Sequence, residues 1–123
     1  MENVRELFIK GYIDKKIYPL PYDFDLCGLV DASYAIVNSK LGIKSVKDRK
    51  YRGFKREESL VEEVRDQILS KKGDLFQIVD SQKTKFEIPF EFQSTREYLT
   101  KFFDIMEDDN SFEKDVIKMM RTK

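Results

Sequence analysis

Near residue 86 the apolar residues of this chain change their repeat. On either side they recur every three or four positions, whereas Phe86, Ile88, Phe90 and Phe92 alternate with Glu87, Pro89 and Glu91. A repeat of two puts one set of side chains on one side of an extended chain, and a repeat of 3.6 winds them onto one helix face. The alternation predicts a half-buried strand over 85–92, with 75–79 as its antiparallel partner across the polar turn Asp80-Ser81-Gln82-Lys83. Pro89 has no N–H to offer a neighbouring strand, so an edge position is expected. A two-stranded sheet is marginal alone, and its apolar face must pack on helices or on another copy. Pro89, Glu87 and Glu91 discourage open-ended pairing, so the chain is expected to be a monomer or a closed homodimer.

Elsewhere the repeat is helical. Residues 3–17 set Val4, Leu7, Phe8 and Gly11 on one face, with Ile9, Ile13 and Ile17 beside it, before Pro19 and Pro21 force an extended connection. Asp23 or Asp25 can cap a second helix that runs to Leu41 and stops at Gly42; because its centre, Ala32-Ser33-Tyr34-Ala35, is small and nearly uncharged, it is expected to be the most buried helix. A third helix, from about Glu57 to Lys72, carries Leu60, Val61, Val64, Ile68 and Leu69 and ends at Gly73. Ser94 with Glu97 and Asn110 with Glu113 have capping-box spacing. They open a fourth helix with Tyr98, Leu99, Phe102, Phe103 and Met106, and a fifth with Phe112, Val116, Ile117 and Met120. The fold class predicted is α+β, mostly helical, ordered α-α-α-β-hairpin-α-α, in a single compact domain over 1–123 with no linker. Leu29, Val64, Phe90 and Phe102 are expected to share its core.

Composition narrows the chemistry. Hydrophobic residues make up 41% of the chain and 23 bases balance 23 acids, so a core can form and no net charge opposes it. With no His and only Cys27, the chain can build neither an internal disulfide nor a zinc site, and His-dependent catalysis is excluded. Asp and Glu could still hold Mg²⁺ or move protons. However, Asp23, Asp25 and Asp31, like Glu57, Glu58, Glu62 and Glu63, gather where helix starts already favour acids. Glu107-Asp108-Asp109 lacks the glycine and the bidentate Glu of a calcium loop. Cys27, near Leu26 and Leu29 and without an imidazole base, reads as a buried structural thiol, and the scattered glycines form no phosphate cradle. No enzyme activity, no cofactor and a metal-independent fold are expected. The longest uncharged run, 32–39, is far short of the ~20 residues of a spanning helix. Glu2 and Glu6 stand where a secretory signal has bases, so no membrane association and a cytoplasmic location are expected.

One segment departs from an ordinary small domain. Between 44 and 56, Lys44, Lys47, Arg49, Lys50, Arg52, Lys55 and Arg56 face only Asp48, in a chain of zero net charge. Tyr51 and Phe54 lie among these bases and Gly53 permits close backbone approach, the mixture that tracks phosphates and stacks bases. Basic runs are weak motifs, and a solvated loop whose bases pair with Glu57, Glu58, Glu62 or the 107–109 acids is the simpler account. Phe54, seven residues before Val61, falls on the same helical face and is expected in the core. Ten Phe and six Tyr are more than one small core needs, and spare apolar surface marks interaction sites. Tyr12, Tyr18, Tyr22 and Tyr51 are expected near the surface. The function expected is therefore a small non-catalytic protein acting through an unidentified protein partner; the alternative is nucleic-acid binding through 44–56.

Overall fold

The computed structural model describes the backbone of residues 5–10, 17–22 and 27–122, and the side chains of 27–122. The chain divides into two compact units, Met1–Arg49 and Lys50–Lys123.

In the first unit, β1 (Arg5–Lys10) and β2 (Ile17–Tyr22) pair antiparallel, with Arg5 opposite Tyr22 and Lys10 opposite Ile17. The helix expected over 3–17 is thus a strand at 5–10, and 3–4 and 11–16 lie outside the described residues. Aromatic and β-branched residues such as Phe8, Ile9, Ile17 and Tyr18 favour a pleated chain, and the extended backbone expected around Pro19 and Pro21 is accommodated in β2. The second predicted helix does not form over 27–41, and 23–26 lie outside the described residues. Turns occupy this stretch, with one 3-10 turn at Ser39–Leu41. Asn38 caps that turn by accepting from Lys40 N at 3.0 Å, and Gly42 ends it at φ 67°. Asp31 has φ 51°, which breaks a right-handed helix, while Ser33, Asn38 and Ser39 have side chains that compete for the backbone. Tyr34 and Ile36 are exposed, so the stretch expected to be most buried is largely open.

The second unit is helical. Its elements are α1 (Glu58–Ser70), α2 (Lys72–Ser81), α3 (Pro89–Glu107) and a short α4 (Asp109–Phe112) that runs into a π-turn, Glu113–Ile117. α1 forms where its repeat predicts. It stops at Lys71, and Gly73 lies inside α2 with open space where a Cβ would be.

The hairpin predicted over 75–92 is absent, which corrects the α+β assignment. α2 occupies 75–79, and 85–92 contains the start of α3. Pro89 stands at N1, where its fixed φ and missing N–H cost nothing, and Glu91 puts an acid in the first turn. Phe86 packs edge-on against Phe92 with ring centroids 5.6 Å apart, clamping the chain across the helix start much as a hydrophobic staple does. Phe92 satisfies both repeats. The residues that alternation groups with it, Ile88 and Phe90, are left exposed, Phe90 at 74%. Without a strand there, pairing across molecules at 85–92 has no edge to use.

Phe103, Met106 and Phe112 are the buried apolar residues among those described. The Phe103 ring lies 5.8 Å from Phe76 of α2 and 5.2 Å from Phe102, centroid to centroid, and Arg96 ties α3 to Asp80 of α2 at 2.8 Å. Of the four residues expected in the core, Leu29, Val64 and Phe90 are exposed and Phe102 is half-buried. Adjacent residues on a helix point about 100° apart, so a Phe102-Phe103 pair does not reveal which ring faces inward.

The fifth helix also starts earlier than predicted. Asp108, not Asn110, is its cap, with the carboxylate accepting from Ser111 N at 2.7 Å. The Ser111 hydroxyl and N–H hold the Asp108 carboxyl below its ordinary pKa. A carboxylate depressed in the folded state stabilises the fold above its unfolded pKa, and that contribution disappears as pH falls through the folded value. Asp108→Asn keeps a capping oxygen that does not titrate. As pH falls below about 4, the wild type is therefore expected to lose stability relative to this variant in urea titrations. Parallel pH profiles would show that the cap does not depend on charge.

Candidate functional site

α1 packs on α3, and the end of α3 is held by a buried cation on α1, Arg65. Its Nε donates to Met106 O at 2.7 Å, and its NH2 donates to Glu107 O at 3.4 Å and to Asp109 Oδ1 at 2.7 Å. NH1 reaches Glu62 Oε2 at 3.3 Å, and the guanidinium lies 4.4 Å from the centre of the Phe112 ring. The last carbonyls of a helix have no partner within it, and a cation there also complements the helix dipole. The hydrogen bond to Asp109 raises the Arg65 pKa against the opposing pull of burial, so the group stays charged.

Beside this junction lies an apolar groove of ≈ 270 Å³. α1 lines it with Leu60, Val64 and Ile68, spaced at i, i+4 and i+8, together with Val61. Phe102, Met106, Phe112 and Val116 line it from the other elements, and Tyr51, Arg56 and Arg65 complete it. Leu60 is 48% exposed and Val64 46%. The sequence correctly groups these α1 residues as one apolar face but does not say that the face stays half open.

The basic segment is divided between the units. Lys44, Lys47 and Arg49 belong to the first, and Lys50, Arg52, Lys55 and Arg56 to the second. All seven are exposed except Lys47, which is half-buried and pairs with Asp31 at 2.9 Å. The Asp48 carboxylate accepts from the backbone N–H groups of Lys44 and Ser45 at 2.8 and 3.1 Å, so it shapes a turn. Several acids expected to neutralise the segment have other partners. Glu62 and Asp109 pair with Arg65, and Glu107 pairs with Lys72 at 2.7 Å.

In the second unit, the segment leading to α1 is joined to Arg121. Lys55 N donates to Arg121 O at 3.0 Å and Arg121 N to Gly53 O at 2.9 Å. Arg121 Nε donates to Arg52 O at 2.7 Å, and its guanidinium sits 4.6 Å from the centre of the Phe54 ring. Phe54 is therefore extended chain with 48% exposure, not a core residue on the face of Val61. Tyr51 folds its ring over Gly53, where any Cβ would collide with it. Phe54, Lys55, Arg56, Arg121 and Thr122 line a cleft that holds three cations and, among the described residues, no Asp or Glu. A further concavity that shares Lys55 and Arg56 is mixed in charge, with Glu57, Glu58, Glu113 and Lys118. Sequence reasoning misses Arg121 because its partners lie up to 69 residues away and no local pattern marks the contact.

No protein family, curated protein or solved structure matches the chain.

The site must be read from its own chemistry. Among the described residues, no three Cys, Asp or Glu side chains are grouped to hold a metal ion, and Cys27 is half-buried, not buried as expected. No helix among them is long and apolar enough to cross a membrane. The groove offers apolar contact with two polar residues at its margin, Tyr51 and Arg56, and the one cation within it, Arg65, is committed to the end of α3.

Proposed function

We propose that the chain is a non-catalytic binding protein whose groove receives apolar side chains of a protein partner. The observation that carries this reading is the half-exposure of Leu60 and Val64 above a concave lining that includes buried Met106 and Phe112. Covering such surface contributes about 25 cal/mol per Å² of apolar area removed from water. A concave apolar pocket is also where the anchoring residues of an interface concentrate their energy. The groove has a volume of ≈ 270 Å³ and an apolar lining, which suits inserted apolar side chains. A single thiol suits a reducing compartment, and the cytoplasm is the proposed setting.

A photo-crosslinking residue in place of Leu60 tests the reading in the native cell. It is expected to join the chain to one or a few proteins, and Val64→Asp, which puts a charge into the groove while leaving the buried core intact, is expected to abolish the products. Crosslinks to nucleic acid, or products that survive Val64→Asp, would overturn it.

A further inference from the structure

We propose that the partner segment seated in the groove carries a short acidic flank, one or two carboxylates, which Lys55, Arg56 and Arg121 receive. This rests on the groove reading above and adds the chemistry of the occupant. Arg56 lines both the apolar groove and the adjoining cation cleft, so the two are one continuous surface within the second unit. An anchor in the first brings its neighbours in sequence to the second.

The cleft is built for anions. Among the described residues no Asp or Glu lines it, while Lys55 and Arg56 are exposed there. Arg121 is ordered in advance, with Nε bonded to Arg52 O at 2.7 Å and the guanidinium carbon 4.6 Å from the centre of the Phe54 ring. Its terminal nitrogens are the donors that remain for a ligand. A guanidinium already fixed on a ring and a carbonyl loses less freedom when it takes a carboxylate, and its fork matches that group's two oxygens.

The surface is also short. The other concavity that shares Lys55 and Arg56 holds Glu57, Glu58 and Glu113, which repel an extended anion. A nucleic-acid strand needs cations along its path, whereas a peptide with one or two acids beside an apolar anchor meets attraction at the cleft and avoids those glutamates.

Selection from a random peptide display library tests this and needs no identified partner. The wild type is expected to enrich peptides with an apolar anchor and Asp or Glu to one side. Synthetic versions should bind about tenfold more tightly than the same anchors with a Lys flank, a gain that several rim pairs of small individual worth can supply. Lys55→Glu, whose side chain lines the cleft but not the groove, should bring that ratio to about one, with circular dichroism confirming the fold. Enriched anchors with no acidic bias would overturn the inference and leave the groove reading standing. Enrichment of nothing would overturn both. A single-stranded oligonucleotide that displaces the peptides at ~0.15 M salt would assign the cleft to nucleic acid and overturn the acidic flank.

Discussion

Phe103→Ala is expected to destabilise the helical unit by about 3–5 kcal/mol, the range for truncating a fully buried aromatic residue. Phe103 has 0% exposure, and its ring meets those of Phe76 and Phe102, with Lys72 Nζ 5.7 Å from its centre. Only Met106 and Phe112 are also buried among the described apolar residues, so little is left to close around the cavity. Against the ~5–15 kcal/mol available to a whole domain, such a loss leaves the unit marginal or unfolded at room temperature. Urea titration followed by helical ellipticity measures it. Phe90→Ala is the control, since a residue on the exposed face of α3 should change stability by no more than about 0.5 kcal/mol. Equal effects of the two substitutions would mean that α3 is rotated on its axis from the arrangement described.

The second large effect is expected at Arg65. Arg65→Met keeps much of the apolar stem but removes every donor, leaving the carbonyls of Met106 and Glu107 without the partner they have in the fold. An unpaired buried polar group costs about 1–3 kcal/mol, and the expected loss is about 2–4 in total. Asp109 and Glu62 are more exposed, so water can solvate them when the cation is gone. Arg65→Lys should recover less than half of the loss, because one ammonium cannot serve Met106 O, Glu107 O and Asp109 with the geometry of a planar fork. An Arg65→Met variant with the urea midpoint of the wild type would show that water replaces the guanidinium at the end of α3.

How much of the structure is legible in the sequence follows how local the determining interactions are. α1 is legible because Leu60, Val61, Val64, Ile68 and Leu69 repeat at helical spacing and nothing nearby competes. The segment 85–92 misleads because its alternation has the period of a strand, while the deciding facts are the preference of Pro89 for a first helical turn and the contact of Phe86 with Phe92 across that turn. Over 27–41 the apolar residues suggest a helix, but Asp31 and the turn-forming Ser and Asn side chains prevail at the backbone. Of the site, the α1 face and the basic segment can be found in sequence. The openness of the groove, the place of Arg65 at the end of α3, and Arg121 opposite Gly53 depend on contacts 41 to 69 residues apart, and no periodicity encodes them.

The link from Arg52 and Gly53 to Arg121 has a consequence for how the unit is made. It closes a ring of nearly its whole length, and loop entropy makes such a closure late to form and early to open. α1, α2 and α3 hold one another through contacts of their own, Arg65 on Met106 O and Phe76 against Phe103, so they can stand assembled while that link is open. While it is open, the α1 face of the groove remains, but the segment that carries Tyr51 and Arg56 has lost its fastening to Arg121. An opened molecule therefore displays an unfinished groove, with Leu60 and Val64 barer than in the closed one, until the final hasp clicks shut.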